Sequence, residues 1–173
     1  MPVLRDLSAF QDAEFDIVWH PYSINFVPDC RVVFKEAARV LRPGGLYYFM
    51  CANPFASGMS TRDWNGEGYV IRQPYIQGAE ITYPDEEWVF RDNPEARKEI
   101  RWPREYRHTL GDLLNGLVEN KLVVIKAQER GSDTLNLNAE PGDWDHFTSF
   151  LPPWLCFWVL HRPEIGLKLP FPY

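Results

Sequence analysis

A chain of 173 residues, 45% of them hydrophobic and including seven Trp and eleven Phe, can bury the core of one domain, which excludes disorder over most of its length. A formal charge of -6 leaves no broad basic face for phosphate neutralisation, so nucleic acid is not an expected partner. The longest apolar run, Trp154 to Leu160, is too short to span a bilayer, and Met1 leads directly to Pro2, Val3, Leu4, Arg5 and Asp6 rather than to a signal peptide. The expected location is therefore the cytoplasm, without a membrane partner.

Phe15-Asp16-Ile17-Val18-Trp19 reads as a short strand, being β-branched and aromatic and too brief for a helix. Asp29 is a plausible N-cap for a helix in which Val33, Ala37, Val40 and Leu41 share one face. Lys35, Glu36, Arg39 and Arg42 fall on its solvent side, and Pro43-Gly44-Gly45 is expected to stop it. Leu46 to Met50 then forms a second buried strand. Strand, helix and strand at this spacing make a right-handed βαβ unit with a parallel pair.

From Asn53 to about Arg107 the pattern breaks at Gly58, Gly66, Gly68, Pro74, Gly78, Pro84 and Pro94. Tyr69–Arg72 and Ala79–Tyr83 are expected as two strands of an insertion, and the mixed charges from Asp85 to Arg107 as a solvated surface. The aromatics Trp64, Tyr69, Tyr75 and Trp88 suit either the wall of an apolar pocket or the insertion's own small core. The insertion itself suits either a lid or a structural flap. Thr109 caps a second helix with Asp112 three residues on, and Leu110, Leu113, Leu114, Leu117 and Val118 line one face. Strands follow at 122–127 and 154–160. Cys30, Cys51 and Cys156 lack any C-x-x-C spacing and are expected as buried, reduced thiols, and no histidine spacing suggests a metal.

In order along the chain stand Asp6-Leu7, Phe15-Asp16-Ile17-Val18-Trp19-His20, a helix, Leu41-Arg42-Pro43-Gly44-Gly45 and a strand. That ordered set resembles the adenine-side segment, fourth strand, next helix and fifth strand of class I S-adenosylmethionine-dependent methyltransferases. Thr109 to Ile125 is similar to the later helix and strand of the small-molecule branch. The resemblance implies an α/β, Rossmann-like methyltransferase fold, partial over residues 1–173, with a mixed sheet, an antiparallel late strand and a β-rich insertion or lid at 53–107. The last strand is expected between the second and third strands, at 45–51 and 121–128.

Only fourteen residues precede the Phe15 strand, and the family's Gly-rich turn and acidic ribose ligand have no counterpart here. Gly44 and Gly45 precede a strand rather than follow one, so they cannot serve as that turn. A truncated form of such an enzyme is the first expectation, and a non-catalytic remnant serving as an assembly module is the second. S-adenosylmethionine is the cofactor the resemblance implies, bound weakly by this chain alone, and the acceptor would be a small molecule. By the same resemblance, Asp6, Leu7, His20 and Pro21 face the cofactor, and the loop through Ser23 and Asn25 faces its methionine end and the acceptor. His20 suits a general base, since imidazole titrates near neutrality, or a cap on nearby carbonyls. Asn25, Asn53, Trp64 and Tyr69 are acceptor-side candidates, with Asn53 equally a turn residue before Pro54. The strand at 15–20 would lack one neighbour, and self-association through it is expected.

Overall fold

The computed structural model describes residues 5–82, 104–133 and 135–166. Trp88, Tyr83 and the charged stretch up to 103 lie outside the described residues. A four-stranded sheet organises the rest, in the order β1 (Phe15–His20), β2 (Leu41–Ala52), β6 (Trp154–His161), β5 (Leu122–Arg130). β1 and β2 run parallel, and β6 is antiparallel to both its neighbours. The late strand is thus interior, as its apolar character on both faces requires.

Helix α1 (Cys30–Val40) starts where Asp29 accepts a hydrogen bond from the Arg31 amide. It ends two residues earlier than the Pro-Gly-Gly turn, at Val40, because Pro43 disfavours helical backbone at Arg42 and the chain is already extended at Leu41. Pro43-Gly44-Gly45 therefore lies within β2, as an irregularity in its pairing with β1. Gly44 takes φ 80°, and a Cβ on Gly45 would sit 2.9 Å from the Arg42 carbonyl and 3.1 Å from that of Asp16.

Helix α2 (Leu110–Glu119) is capped by Thr109, whose hydroxyl accepts from the Asp112 amide. It lies against α1, and a Cβ on Gly116 would come within 2.9 Å of the Phe34 ring. That close approach narrows its buried face to Leu113, Gly116 and Leu117, leaving Leu114 exposed. Between these helices and the sheet sit Val33, Phe34, Ala37, Tyr47, Phe49, Cys51, Leu155, Phe157 and Val159. The rings of Phe34, Phe49 and Phe157 pack at centroid distances of 5.2 and 4.9 Å. All three cysteines are free and buried, and burial pushes the Cys30 thiol up to about 12.

Glu36 and Arg39 do not face solvent alone. Glu36 accepts from the Leu7 amide and Arg39 donates to the carbonyls of Leu7 and Phe10, pinning the turn before β1 onto α1. Of the strands expected in the insertion, Glu80–Ile81 (β3) pairs with Glu105–Tyr106 (β4). Tyr69–Arg72 is not a strand. Tyr69 makes an isolated bridge to Trp64, and Arg72 turns instead to the buried Asp63 carboxylate at 2.7 Å. A last short helix, α3 (Trp144–Phe150), precedes β6. Among the described residues no helix is long and apolar enough to cross a membrane.

Candidate functional site

In open α/β sheets reacting groups gather at the carboxyl ends of parallel strands. Here those ends belong to β1 and β2. The chain leaving β1 passes through His20, Pro21 and Tyr22 and enters a 3-10 turn at Ser23–Phe26. Tyr22 has φ 60°, a left-handed conformation that costs a non-glycine residue free energy of order 1–3 kcal/mol. Its hydroxyl donates to Glu105 Oε2, tying this loop to β4.

Side chains of β2 alternate across the sheet. Tyr47, Phe49 and Cys51 enter the helix-covered core, whereas Tyr48, Met50 and Ala52 face the other way. At the carboxyl end of that second face lies a cavity of about 810 Å³. Met50, Ala52 and Trp154 form its floor, Ala56 to Thr61 one side, and Gly142 to Trp144 with Phe147 the other. Tyr22 closes it toward the β1 loop.

Two asparagines brace this end of the sheet. Asn25 Oδ1 accepts from the Ala52 amide at 3.0 Å. Asn53 donates to the Pro152 carbonyl and accepts from the Phe55 amide, so it locks the loop after β2 to the entry of β6. Arg107, fully buried, donates to the carbonyls of Pro54 and Ser57 at 2.5 and 2.7 Å and holds the same loop from the insertion side. Sequence spacing gave no hint of Arg107, because its partners are backbone atoms fifty or more positions away.

Trp64 and Tyr69 pack behind the cavity wall. Tyr69 lies 5.1 Å from the Phe147 ring, and its hydroxyl is 2.6 Å from His146 Nδ1. Tyr75 stacks on Phe55 at 5.3 Å, and the Arg107 guanidinium sits over the Tyr75 ring, 5.9 Å from its centre.

His20 is 3% exposed, with Nδ1 2.9 Å from the Tyr47 hydroxyl and Nε2 buried without a partner. Burial lowers its pKa to about 4, so the ring is neutral at physiological pH. Against Glu36 and Arg39 of α1, Asp6 is exposed and accepts from the Ser8 amide, while Leu7 is half-buried. The described residues thus supply the β1 loop and the Asp6–Phe10 turn. They hold no Gly-rich turn joining a strand to a following helix.

Residues 3–49 match the family model described as a methyltransferase domain. The folded chain is also similar to solved methyltransferases. One is an S-adenosylmethionine-dependent enzyme of Mesorhizobium loti, with a TM-score of 0.56 at 17% identity, covering 87% of this chain and 63% of that one. A Listeria monocytogenes structure assigned to the same class gives 0.64 at 14% identity, over 92% of this chain and 67% of that one. The chain therefore has the class I methyltransferase fold. A Streptomyces coelicolor A3(2) geranyl diphosphate C-methyltransferase of this fold was solved in complex with Mg2+, geranyl diphosphate and S-adenosyl-L-homocysteine. It matches with a TM-score of 0.51 at 18% identity over 91% of this chain and 50% of that one.

Among curated relatives, the uncharacterized methyltransferase YbaJ of Bacillus subtilis (strain 168) is 29% identical over 121 residues, 70% of this chain and 45% of its own length. The 27-O-demethylrifamycin SV methyltransferase of Amycolatopsis mediterranei (strain S699) is 53% identical over 36 residues, 21% of this chain and 13% of that protein. The chain spans less than half the length of either curated relative.

Proposed function

We propose that this chain carries the acceptor-side half of an S-adenosylmethionine-dependent methyltransferase acting on a small apolar molecule. The observation that supports this reading is the cavity of about 810 Å³ at the carboxyl end of β2, closed on one side by Tyr22 of the β1 loop. Its volume falls within the range of small-molecule sites. When bound, S-adenosylmethionine supplies an electrophilic methyl group for in-line displacement. What the chain's own residues contribute is alignment and a water-poor wall.

In this reading the Asp6–Leu7 turn lies on the adenine side, and His20 and Pro21 lie at the methionine end. Asn25 and Asn53 hold the ends of β2 and β6 so that the cavity keeps its shape, and Trp64 and Tyr69 back the wall through Phe147. The neutral His20 ring is a hydrogen-bonding partner and a weak base. The described parts of the insertion, 53–82 and 104–107, act as a lid tied down through Tyr22–Glu105 and Arg107. The edge of β1 that no other described strand pairs, where Ile17 and Trp19 are 61% and 60% exposed, is the surface through which copies associate.

Methyl transfer from radiolabelled S-adenosylmethionine, supplied at millimolar concentration to the 173-residue protein, tests the reading. Label should enter solvent-extractable apolar acceptors and not peptides or nucleic acid. Label in a macromolecule, or none in any acceptor that binds the cavity, would contradict it.

A further inference from the structure

We propose that the cavity beside β2 takes an apolar molecule whose polar end is neutral or cationic, and that it excludes molecules ending in a diphosphate or carboxylate. This rests on the acceptor-site reading of the same cavity and names the class of molecule that fits it.

The described walls are mainly hydrocarbon, thioether and aromatic, with a few hydroxyls and one carboxylate. Met50 and Met59 supply unbranched, polarizable side chains that adapt to an irregular ligand. Trp144 and Trp154, with ring centres 5.7 Å apart, form an aromatic corner beside Phe147. Among the described residues, no Lys, Arg or His lines the cavity, and its one carboxylate is Asp143. Two cations of the same loops are engaged elsewhere: Arg107 with the carbonyls of Pro54 and Ser57, and Arg72 with Asp63.

An anionic head group entering this space would lose its hydration with no counter-charge from the described lining and would meet the Asp143 carboxylate. A hydroxyl finds polar partners in the lining at Ser60 and Thr61. An ammonium gains the Asp143 charge and the faces of the two indoles. The Streptomyces enzyme solved with geranyl diphosphate and Mg2+ shares the fold, but a fold does not carry a ligand with it. The cavity's own charge decides the class.

Farnesol, farnesylamine and farnesyl diphosphate share one isoprenoid chain and differ only in the head. Each should be titrated calorimetrically into the 173-residue protein, below its own aggregation concentration. Farnesol and farnesylamine are expected to bind, with the amine at least about tenfold tighter than the diphosphate. Asp143→Asn keeps the backbone geometry and should bring the amine down to the level of the alcohol. Equal or tighter binding of the diphosphate, no binding of any of the three, or an amine preference unchanged in Asp143→Asn would overturn the proposal. If the alcohol and amine bind in the expected order but accept no label from S-adenosylmethionine, the ligand class stands and the acceptor-site reading fails.

Discussion

His20 Nδ1 lies 2.9 Å from the Tyr47 hydroxyl, and both side chains are buried. Burial holds the imidazole pKa near 4, below its ordinary 6.5, and raises that of the Tyr47 phenol well above 10. Both groups are neutral in the folded state. On acidification the unfolded chain takes up the His20 proton first, so stability is complete above about pH 6.5 and falls as the pH drops toward 4. The contribution is on the order of 3 kcal/mol. His108, likewise lowered by burial although it bonds the Ile24 carbonyl, acts in the same direction. Thermal unfolding between pH 7.5 and 4.5 should show this slope, and His20→Gln should flatten it. An unchanged slope in His20→Gln would contradict the assignment.

Arg107 donates to two carbonyls of the loop that walls the cavity. Arg107→Met would leave both acceptors buried without that donor, at a cost of about 2–4 kcal/mol. Urea denaturation should measure that loss. Apolar ligands should also bind less tightly, because Ala56 and Ser57 lie on the same loop. A variant as stable as the parent would show that water or another side chain replaces the guanidinium.

Gly45 is required for space and Gly44 for conformation. Gly45→Ala drives a methyl group into the Arg42 and Asp16 carbonyls, which should cost about 1–3 kcal/mol as a shift of the β1–β2 register. Gly66→Ala, at a site with open space but φ 102°, should cost less. Equilibrium unfolding of the two variants distinguishes packing strain from backbone strain.

The sheet was legible in the sequence because its strands are short apolar runs separated by a helix with a clear polar stripe. The interior place of β6 followed from the resemblance to class I methyltransferases, which a segment apolar on both faces fits. The Asp29 and Thr109 caps were legible for the same local reason. The site was less so. Asn25, Asn53 and Arg107 act through backbone partners far along the chain, which no periodicity reports. The depth of His20 depends on tertiary packing around Tyr47. Tyr69–Arg72 has strand-like residues, yet Asp63 captures Arg72 and the segment closes as a loop instead.

β1 pairs only with β2 among the described strands, and Ile17 and Trp19 stand exposed beside the stacked pair Trp19–Tyr48. Sedimentation velocity on the 173-residue protein at tens of micromolar should reveal association, and Trp19→Glu should shift it toward monomer. A monodisperse monomer in the parent protein would rule out association through this strand.

The most direct test of the acceptor-side assignment is amide chemical-shift mapping of the isotope-labelled 173-residue protein with S-adenosylhomocysteine. Shifts are expected at Asp6–Phe10 and at His20–Asn25, growing without saturation until roughly millimolar ligand, which corresponds to about -4 kcal/mol of binding. No response up to the solubility limit, or shifts centred on β5 away from both segments, would contradict it. Saturation tighter than roughly 10 μM would mean that contacts beyond these two segments complete the cofactor site.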